Sequence, residues 1–598
     1  MKYEIKFETL DVPGIRQRAM FLLLLLLAGT GFALAQSPIY IAHLDRTYLV
    51  LQATNNSQSN GTPIVLGERS DGNTTLHPQQ VWYYDNATHT IRLIANQNKC
   101  IARKGQQLLN DQIVVADYNA NSDLQRWVLE DHKVKLLSNK NLCIGLSDAN
   151  FTLGGAAVLQ EVSNVITEQQ KWFFREKPAH TFTADGQLHR VNSPGDTYIE
   201  FAIPDPCPYQ YLNITARGGD GGKRTVSNDV KAKGGEGATM GGLYKIGTGY
   251  NQLRPGTTIR LVIGRAGNSR LNNANAIGSS GGGGTGVIYE KREVRTSLYY
   301  YPWHVLAIAG GGGGAYADCC AVSRDGDPAN NITKINIGQN HFAAERDYEY
   351  GGWREEDFSY TGSGFREDSD PLGCTGCVQN GTGAGYHIVD GLLYPTGGRY
   401  TYNDYVGAFG FGGGGIAGNL LTRAGSGGGY NGASVGSNGF AGGGAGSWID
   451  QYALAPDALP LAIKNGVTES PIDGYVGYQF TNAGPVTRDL GFEYHKGTES
   501  SVLKTGNWNL LWQYDGNLVL YGPGYGNGAW TSHTDNKGTD LYFQGDGNLV
   551  IYQSGNPVFA SNTANDQHSG KGGRKLVLTP EGSLYIIDQD GNKIWQGR

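Results

Sequence analysis

Apolar residues come along this chain in short runs, continuous or alternating, closed off by glycine, proline and polar loops. Ile64-Val65-Leu66, Ile113-Val114-Val115-Ala116 and Ala157-Val158-Leu159 are the first of them. Tyr198-Ile199-Glu200-Phe201, Tyr211-Leu212-Asn213-Ile214, Ile259-Arg260-Leu261-Val262-Ile263, Val305-Leu306-Ala307-Ile308 and Tyr475-Val476-Gly477-Tyr478 follow. Runs of this length bounded by turn-forming residues predict β-strands, so the pattern points to an all-β chain. One run differs. Arg16 and Arg18 precede Met20-Phe21 and the leucines from Leu22 to Leu27, and small residues follow to Ala33-Leu34-Ala35. This is the basic region, apolar core and A-x-A end of a secretory signal, which assigns residues 1–35 to a leader removed on export. The apolar core is too short to cross about 30 Å of hydrocarbon, and no later stretch could span a bilayer. The mature chain is expected to be secreted, in solution outside the cell or attached to its surface.

Between residues 38 and 178 the runs repeat. Gln80-Val81-Trp82, Gln125-Arg126-Trp127 and Gln170-Lys171-Trp172 place their tryptophans 45 residues apart in both intervals, each after an apolar run and a polar loop. Even spacing of this kind predicts threefold internal symmetry, with Trp supplying core area and its polar neighbour satisfying a turn. The segment resembles the ricin-type β-trefoil lectins, in which three such repeats build one barrel. In that family an Asp shortly after the Cys of each repeat holds sugar, with an aromatic and an Asn later in the repeat. Here Cys100-Ile101-Ala102, Cys143-Ile144-Gly145 and Tyr48-Leu49-Val50-Leu51 lack the Asp, and Gln79, Leu124 and Gln169 stand where the Asn is expected. Asp117, Tyr118 and Asn119 are the remaining polar and aromatic cluster. The trefoil is therefore open to two readings, a second glycan site or a scaffold that binds protein.

Composition changes the picture in the middle. Glycine makes up 91 of 598 residues, about twice its usual share, and two thirds of it falls between residues 179 and 489. Gly281 to Gly284, Gly310 to Gly314, Gly412 to Gly415, Gly427 to Gly429 and Gly442 to Gly444 lie between predicted strands, which a flexible linker would not contain. Glycine is then used for its missing Cβ, which lets extended backbones approach and bond to one another. The order of strand, Ala216-Arg217-Gly218-Gly219, a turn at Pro255 to Thr258, and Leu306-Ala307-Ile308-Ala309 entering the glycines resembles the glycine-rich domain of bacterial and phage surface proteins and of anaplastic-lymphoma-kinase-type receptor ectodomains. The resemblance implies a strand-built domain with a bundle of polyglycine helices, used for recognition or attachment.

Catalytic and cofactor chemistry finds little footing there. No Gly-Lys-Ser/Thr closes a glycine run, so a phosphate loop is not expected. Glu355, Glu356, Asp357, Glu367, Asp368 and Asp370 read as a solvated loop, the alternative being paired carboxylates of a glycoside hydrolase. Asp325-Gly326-Asp327 lacks the closing bidentate Glu of a calcium loop, so no metal or other cofactor is assigned. Of seven cysteines, Cys319-Cys320 and Cys374-x-x-Cys377 suit two disulfides in a secreted chain, with zinc thiolates as the alternative. A net charge of -6 without a long basic block argues against a nucleic-acid partner.

The last segment, residues 490–598, carries the clearest chemistry. Gln513-Tyr514-Asp515-Gly516-Asn517-Leu518-Val519-Leu520-Tyr521 recurs 31 residues later as Gln544-Gly545-Asp546-Gly547-Asn548-Leu549-Val550-Ile551-Tyr552. Thr579-Pro580-Glu581-Gly582-Ser583-Leu584-Tyr585-Ile586-Ile587 is a degraded third copy, expected to pack and not to bind. Read as a strand, the alternate residues share one face, offering two amides, a carboxylate and a phenol above a valine floor. The competing reading is that Asp-Gly-Asn is only a hairpin turn. The pattern Q-x-D-x-N-x-V-x-Y looks like that of the bulb-type monocot mannose-binding lectins, a β-prism of three four-stranded sheets. The resemblance implies that Asp515 and Asn517, with Asp546 and Asn548, bond the axial 2-hydroxyl of mannose. It gives the 3-hydroxyl to Gln513 and Gln544, the 4-hydroxyl to Tyr521 and Tyr552, and an apolar floor to Val519 and Val550.

The expected molecule is thus a secreted, non-enzymatic chain of β-trefoil, glycine-rich β domain and β-prism II that binds mannose-containing glycans or glycoproteins. Shallow single sites would gain from two per chain and from a homo-oligomer. The alternatives are a carbohydrate-active enzyme with lectin modules and an extracellular matrix or filament subunit assembled through the glycine-rich domain.

Overall fold

The computed structural model describes residues 37–598 apart from 72–76, 106–108, 164–166, 227–228, 250, 270–277, 292–302, 318–322, 330–385, 390–391, 396–400, 403–404, 407, 415–423, 426, 431–440, 451–452, 456–457, 459, 498, 566–570 and 581. Among the described residues there is no α-helix; strands are joined by loops and four one-turn 3-10 segments, so the chain is all-β. It folds as two compact units, one reaching Arg69 and resuming over Thr75–Lys177, the other made of Ser70–Thr74 and Pro178–Arg598. The acidic run at 355–370 and Cys319, Cys320, Cys374 and Cys377 lie outside the described residues, as does the expected leader.

The first unit is a β-trefoil. Its last strand, Trp172–Glu176, pairs antiparallel with its first, Ile39–His43, so that the two ends of the unit meet. Bridges from Pro63 to Val114, Gln112 to Val158 and Val65 to Ala156 tie corresponding strands of the three repeats together. Trp82, Trp127 and Trp172 are fully buried, and their indole N–H groups donate to the carbonyls of Leu51, Ile101 and Ile144 at 3.1, 3.0 and 2.9 Å. The glutamine two places earlier sits in each case on a 3-10 turn, Pro78–Gln80, Asp123–Gln125 or Glu168–Gln170. Its Nε2 donates to the carbonyl of Glu68, Asp117 or Glu161 at 2.6, 2.7 or 2.8 Å. The motif therefore anchors core and loop together, which explains why it repeats as a pair and not as a lone Trp. Cys100 and Cys143 are buried thiols whose ionisation burial pushes up to about 12 and about 11.

In the second unit two sheets enclose one core. The first sheet orders strands His180–Thr181, Tyr198–Ala202, Thr258–Val262, Thr285–Glu290, Trp303–Ala309 and Trp448–Ile449. The second orders His189–Asn192, Tyr475–Thr481, Tyr211–Arg217, Thr239–Lys245 and Leu461–Ile463. Leu212, Ile214, Val476 and Phe480 from one meet Ile259, Leu261, Val287 and Leu306 from the other. The strands Tyr211–Arg217, Thr258–Val262 and Trp303–Ala309 run out into glycine segments that form no strand yet are buried and bonded to each other. Gly312 N–H donates to Gly219 at 3.0 Å, Gly219 to Gly283 at 2.9 Å, Gly282 to Gly312 at 2.8 Å, and Gly311 to Gly428 at 2.8 Å. A Cβ on Gly312 would land on the Gly235 carbonyl, and one on Gly221 on the Gly313 carbonyl. The glycines thus stand where backbones touch, and no other residue leaves room for the contact.

The last part of the second unit is three antiparallel four-stranded sheets around a single core. Strands Ser500–Thr505, Trp508–Trp512, Leu518–Gly522 and Tyr525–Thr531 form the first sheet. Glu493–His495, Asp540–Phe543, Leu549–Gln553 and Asn556–Ala560 form the second, and Val486–Asp489, Lys575–Leu578, Leu584–Ile587 and Lys593–Gln596 the third. Strand alternation turns Leu510, Trp512, Leu518 and Leu520 inward from the first, Leu541, Phe543, Leu549 and Ile551 from the second, and Leu576, Leu578, Leu584 and Ile586 from the third. Trp530, Phe559 and Trp595, one from each outermost strand, meet edge to face with centroids 5.6 to 6.3 Å apart. The strand Val486–Asp489, which falls before residue 490, belongs with these sheets through its pairing to Lys575–Leu578.

Two predictions follow from the interior. His43 is fully buried, its Nε2 donating to the Glu168 carbonyl at 2.7 Å and its Nδ1 accepting the Asp45 N–H at 3.2 Å, so only the neutral ring fits. Burial holds its pKa down at about 4, below the unfolded 6.5, so its contribution to stability is complete above pH 6.5 and is lost as pH falls toward 4. Hydrogen exchange of the 38–177 peptides should report a loss of about 2 kcal/mol in opening free energy between pH 7 and pH 5, corrected for intrinsic exchange, and His43→Gln should flatten that slope. In the glycine region, Gly312→Ala should lower unfolding free energy by about 2 kcal/mol or more because backbone has to move. Gly466→Ala, where a Cβ meets nothing within 4 Å, should leave it within about 0.5 kcal/mol in the same denaturant titration.

Candidate functional site

The Q-x-D-x-N-x-V-x-Y residues converge, but not as one strand face. Trp512 pairs with Leu518, so Gln513 to Asn517 form the hairpin loop, and only Val519 and Tyr521 lie on a strand. Within the loop, Gly516 N–H donates to the Gln513 carbonyl at 3.0 Å, and Gly516 takes φ +82°, which favours glycine. The second copy repeats this with Gly547 N–H on Gln544 at 2.9 Å and φ +92° at Gly547. The expectation of a shared strand face is corrected for Gln513, Asp515 and Asn517 and for Gln544, Asp546 and Asn548. The physical reason is that the loop reverses the chain. The turn and the side-chain cluster coexist, and the turn brings the cluster together.

Each side chain in the loop divides its polar atoms between structure and solvent. Gln513 Nε2 donates to Tyr521 Oη at 2.8 Å, and Gln544 Nε2 to Tyr552 Oη at 2.8 Å. Asp515 Oδ1 accepts the Asn517 N–H at 3.0 Å, and Asp546 Oδ1 that of Asn548 at 3.0 Å. Asn517 Oδ1 accepts from Thr531 Oγ1 at 3.1 Å, Ser532 Oγ at 2.9 Å and Thr534 N–H at 3.1 Å. Asn548 Oδ1 accepts from Ser561 Oγ at 3.0 Å and Thr563 N–H at 3.3 Å. What remains in each copy is an amide oxygen from Gln, a phenolic hydrogen from Tyr, a carboxylate oxygen from Asp and an amide NH2 from Asn. Val519 and Val550, each 3% exposed, form the floor. Two acceptors and two donors above an apolar patch match the hydroxyl pattern of a sugar ring. Asp515 is half-buried and Asp546 exposed, so the first site is the more enclosed.

The third copy keeps the turn but not the open set of side chains. Gly582 N–H donates to Thr579 at 2.9 Å with φ +89° at Gly582. Thr579 is fully buried with its Oγ1 accepting the Ser583 N–H at 3.1 Å, and Tyr585 and Ile587 are buried against Val577. Arg598 donates to the Gly582 carbonyl at 3.1 Å and lies 4.4 Å from the Trp508 ring. Glu581 lies outside the described residues.

In the first unit, Asp117, Tyr118 and Asn119 are engaged internally. Asp117 accepts from Lys99 Nζ at 2.7 Å and Asn60 Nδ2 at 2.5 Å, and these bonds, led by that to Lys99, hold its pKa down. The Arg92 guanidinium sits 3.4 Å from the Tyr118 ring centroid, and Asn119 N–H donates to Gln125 Oε1 at 2.8 Å. A concave site of about 340 Å³ lies elsewhere, lined by Gln52, Asn55, Asn56, Glu68, His77 and Gln79 with Gln80. Gln79 Oε1 is buried there without a hydrogen-bond partner. In the sequence Gln79 stands only as a departure from Asn, and no sequence signal points to this surface. In the glycine region Asp325 and Asp327 line a concavity of about 380 Å³, where burial raises the Asp327 pKa. No group of three or more metal-binding side chains occurs among the described residues.

Several solved structures resemble parts of the chain. The C-terminal half of the earthworm R-type lectin in complex with GalNAc is 17% identical, covering 23% of this chain and 98% of its own at a TM-score of 0.20. The β-trefoil lectin of the Vibrio vulnificus hemolysin/cytolysin with N-acetyl-D-lactosamine bound is 16% identical, covering 24% and 98% at 0.19. The monomeric monocot mannose-binding lectins from Gastrodia elata are 31% identical, covering 19% and 96% at 0.16. No curated protein matches the chain. Residues 38–173 match the family described as Ricin-type beta-trefoil lectin domain, so the chain carries a ricin-type lectin domain in its first unit.

Proposed function

We propose that this chain is an exported, non-enzymatic lectin that holds mannose-type glycans at two sites, one on Gln513, Asp515, Asn517, Val519 and Tyr521, the other on Gln544, Asp546, Asn548, Val550 and Tyr552. The observation that carries the reading is the matched set of uncommitted atoms left in both copies after the loop has bonded itself. Asp Oδ2 and Asn Nδ2 lie two residues apart on one turn and suit a single hydroxyl that both donates and accepts. An axial 2-hydroxyl presents itself to such a pair, and an equatorial one would leave it unmatched, which favours mannose over glucose. Gln and Tyr, already bonded to each other, take the neighbouring 3- and 4-hydroxyls.

Four polar atoms and one valine make a weak site, so useful affinity comes from two sites per chain and from self-association on a multivalent glycan. The signal-like pattern of residues 1–35 supports a place outside the cell, in solution or at a surface. The ricin-type domain supplies a second recognition surface, for glycan or protein, at the concavity carrying Gln79. The glycine-rich domain, which precedes the strand Val486–Asp489, serves recognition or attachment.

A glycan array tests this directly. Wild type should bind terminal-mannose glycans, and Asp515→Ala combined with Asp546→Ala should abolish that class; unchanged mannose binding in the double variant would overturn the assignment, and glycan cleavage during incubation would favour a hydrolase. Tyr521→Phe keeps the ring and removes one hydroxyl bond. Titration of Asp546→Ala protein, with only the first site active, should show about a tenfold loss of mannoside affinity on adding Tyr521→Phe.

A further inference from the structure

The two sites keep the same five side chains in different surroundings. On the strand leading into each loop, the residues that share the outward face with Gln are Asn509 and Leu511 in the first copy and Asp540 and Tyr542 in the second. Leu511 lies opposite Val519, and Tyr542 opposite Val550, so the two occupy the same place beside their valine floors. The Tyr542 ring stands edge-on to Tyr552 at 5.9 Å and edge-on to His495 at 6.3 Å between centroids. His495 Nδ1 lies 2.7 Å from Asp540 Oδ1, and Asp540 Oδ2 accepts from Thr539 Oγ1 at 2.6 Å. Beside the second site, then, lies a half-exposed aromatic ring held by its neighbours, with a fixed polar pair at its far edge. Beside the first lies a leucine and an Asn509 whose side chain already accepts from Ser501 at 2.5 Å.

We infer that the second site is a two-sugar site, in which Tyr542 and the His495–Asp540 pair hold the residue linked to a terminal mannose, while the first site holds the terminal mannose alone. This rests on the mannose reading of both sites. A pyranose has one face of C–H groups that packs on an aromatic ring and a rim of hydroxyls that needs polar partners, and the strip from Tyr552 through Tyr542 to His495 offers both in that order. Because edge contacts already fix the Tyr542 ring, ordering it on binding costs little. Leu511 offers neither a ring face nor a hydroxyl. One chain would thereby carry two specificities on one scaffold, a site for any exposed mannose and a site for a mannose at the end of an oligosaccharide.

Single-site proteins separate the two. Asp515→Ala leaves the second site and Asp546→Ala the first, each in the full chain, titrated by calorimetry with methyl α-mannopyranoside and with a methyl α-mannobioside. The second site should bind the disaccharide about fivefold more tightly than the monosaccharide, and the first should bind both about equally. Tyr542→Leu, which installs the side chain the first sheet uses at that place, should bring the second site's ratio to about one, and Leu511→Tyr should raise the first site's. Equal ratios at the two sites would overturn the inference while leaving the mannose reading intact. So would a gain confined to the first site, where Tyr514, 64% exposed on the turn, offers the competing ring. If neither single-site protein binds the monosaccharide, both readings fall together.

Discussion

Buried backbone donors and acceptors must be paired, and without α-helices among the described residues the pairs have to form between separate strands and loops. Every module solves this differently, and each solution dictates its composition. In the trefoil, strand ladders leave gaps at the loops, and three tryptophan indoles and three glutamine amides close them. In the glycine region no ladder exists where strands run out, so bare backbones bond directly, and only residues without a Cβ allow that distance. In the last module the hairpin loops are closed by the side chains of Asp and Asn.

On the proposed reading, that last solution is why structure and recognition share residues. Asn517 could rotate its amide in a looser loop, but three donors on Oδ1 leave its NH2 pointing to solvent. Asp515 is held in the same way through one oxygen, and the Gln513–Tyr521 bond sets the sense of both partners. A ligand then meets atoms already oriented, which removes part of the entropic cost of binding and makes the small contact area usable. The requirement to satisfy the loop thus preorganises the site.

Much of this was legible in the sequence where a physical demand repeats. The tryptophans at 82, 127 and 172 and the two copies of Gln-x-Asp-x-Asn-x-Val-x-Tyr were visible because symmetry imposes one demand several times. The loop holding Gln513, Asp515 and Asn517 was legible only as the competing hairpin reading of Asp-Gly-Asn, since alternation of period two looks alike in a strand and in a turn that places every second residue on one side. Glycine content announced close backbone approach, but that Gly312 meets Gly219 and Gly235 is a long-range pairing with no local signature. The strand Val486–Asp489 was obscured for a related reason, because the lead strands enter the sheets in reverse order, third, second, first. In the trefoil, Gln79 departs from the expected Asn without further signal, because its burial is set by tertiary packing.

The third sheet shows the cost of the alternative use of the same motif. Its turn has the geometry of the other two, yet Tyr585 and Ile587 replace the valine and tyrosine, and the outward face is buried. A face cannot both be covered by its own chain and remain open to ligand. Burying Val577, Tyr585 and Ile587 gains on the order of 1.5 to 3 kcal/mol per side chain, against the fraction of that which a shallow polar site contributes to folding. Symmetry of fold therefore does not imply symmetry of function: where Arg598 and Trp508 close over the Gly582 turn, the module gains stability at the position where its relatives within the chain keep atoms available. With one sheet closed in this way, the number of proposed sites is set by how many of the three faces packing leaves open.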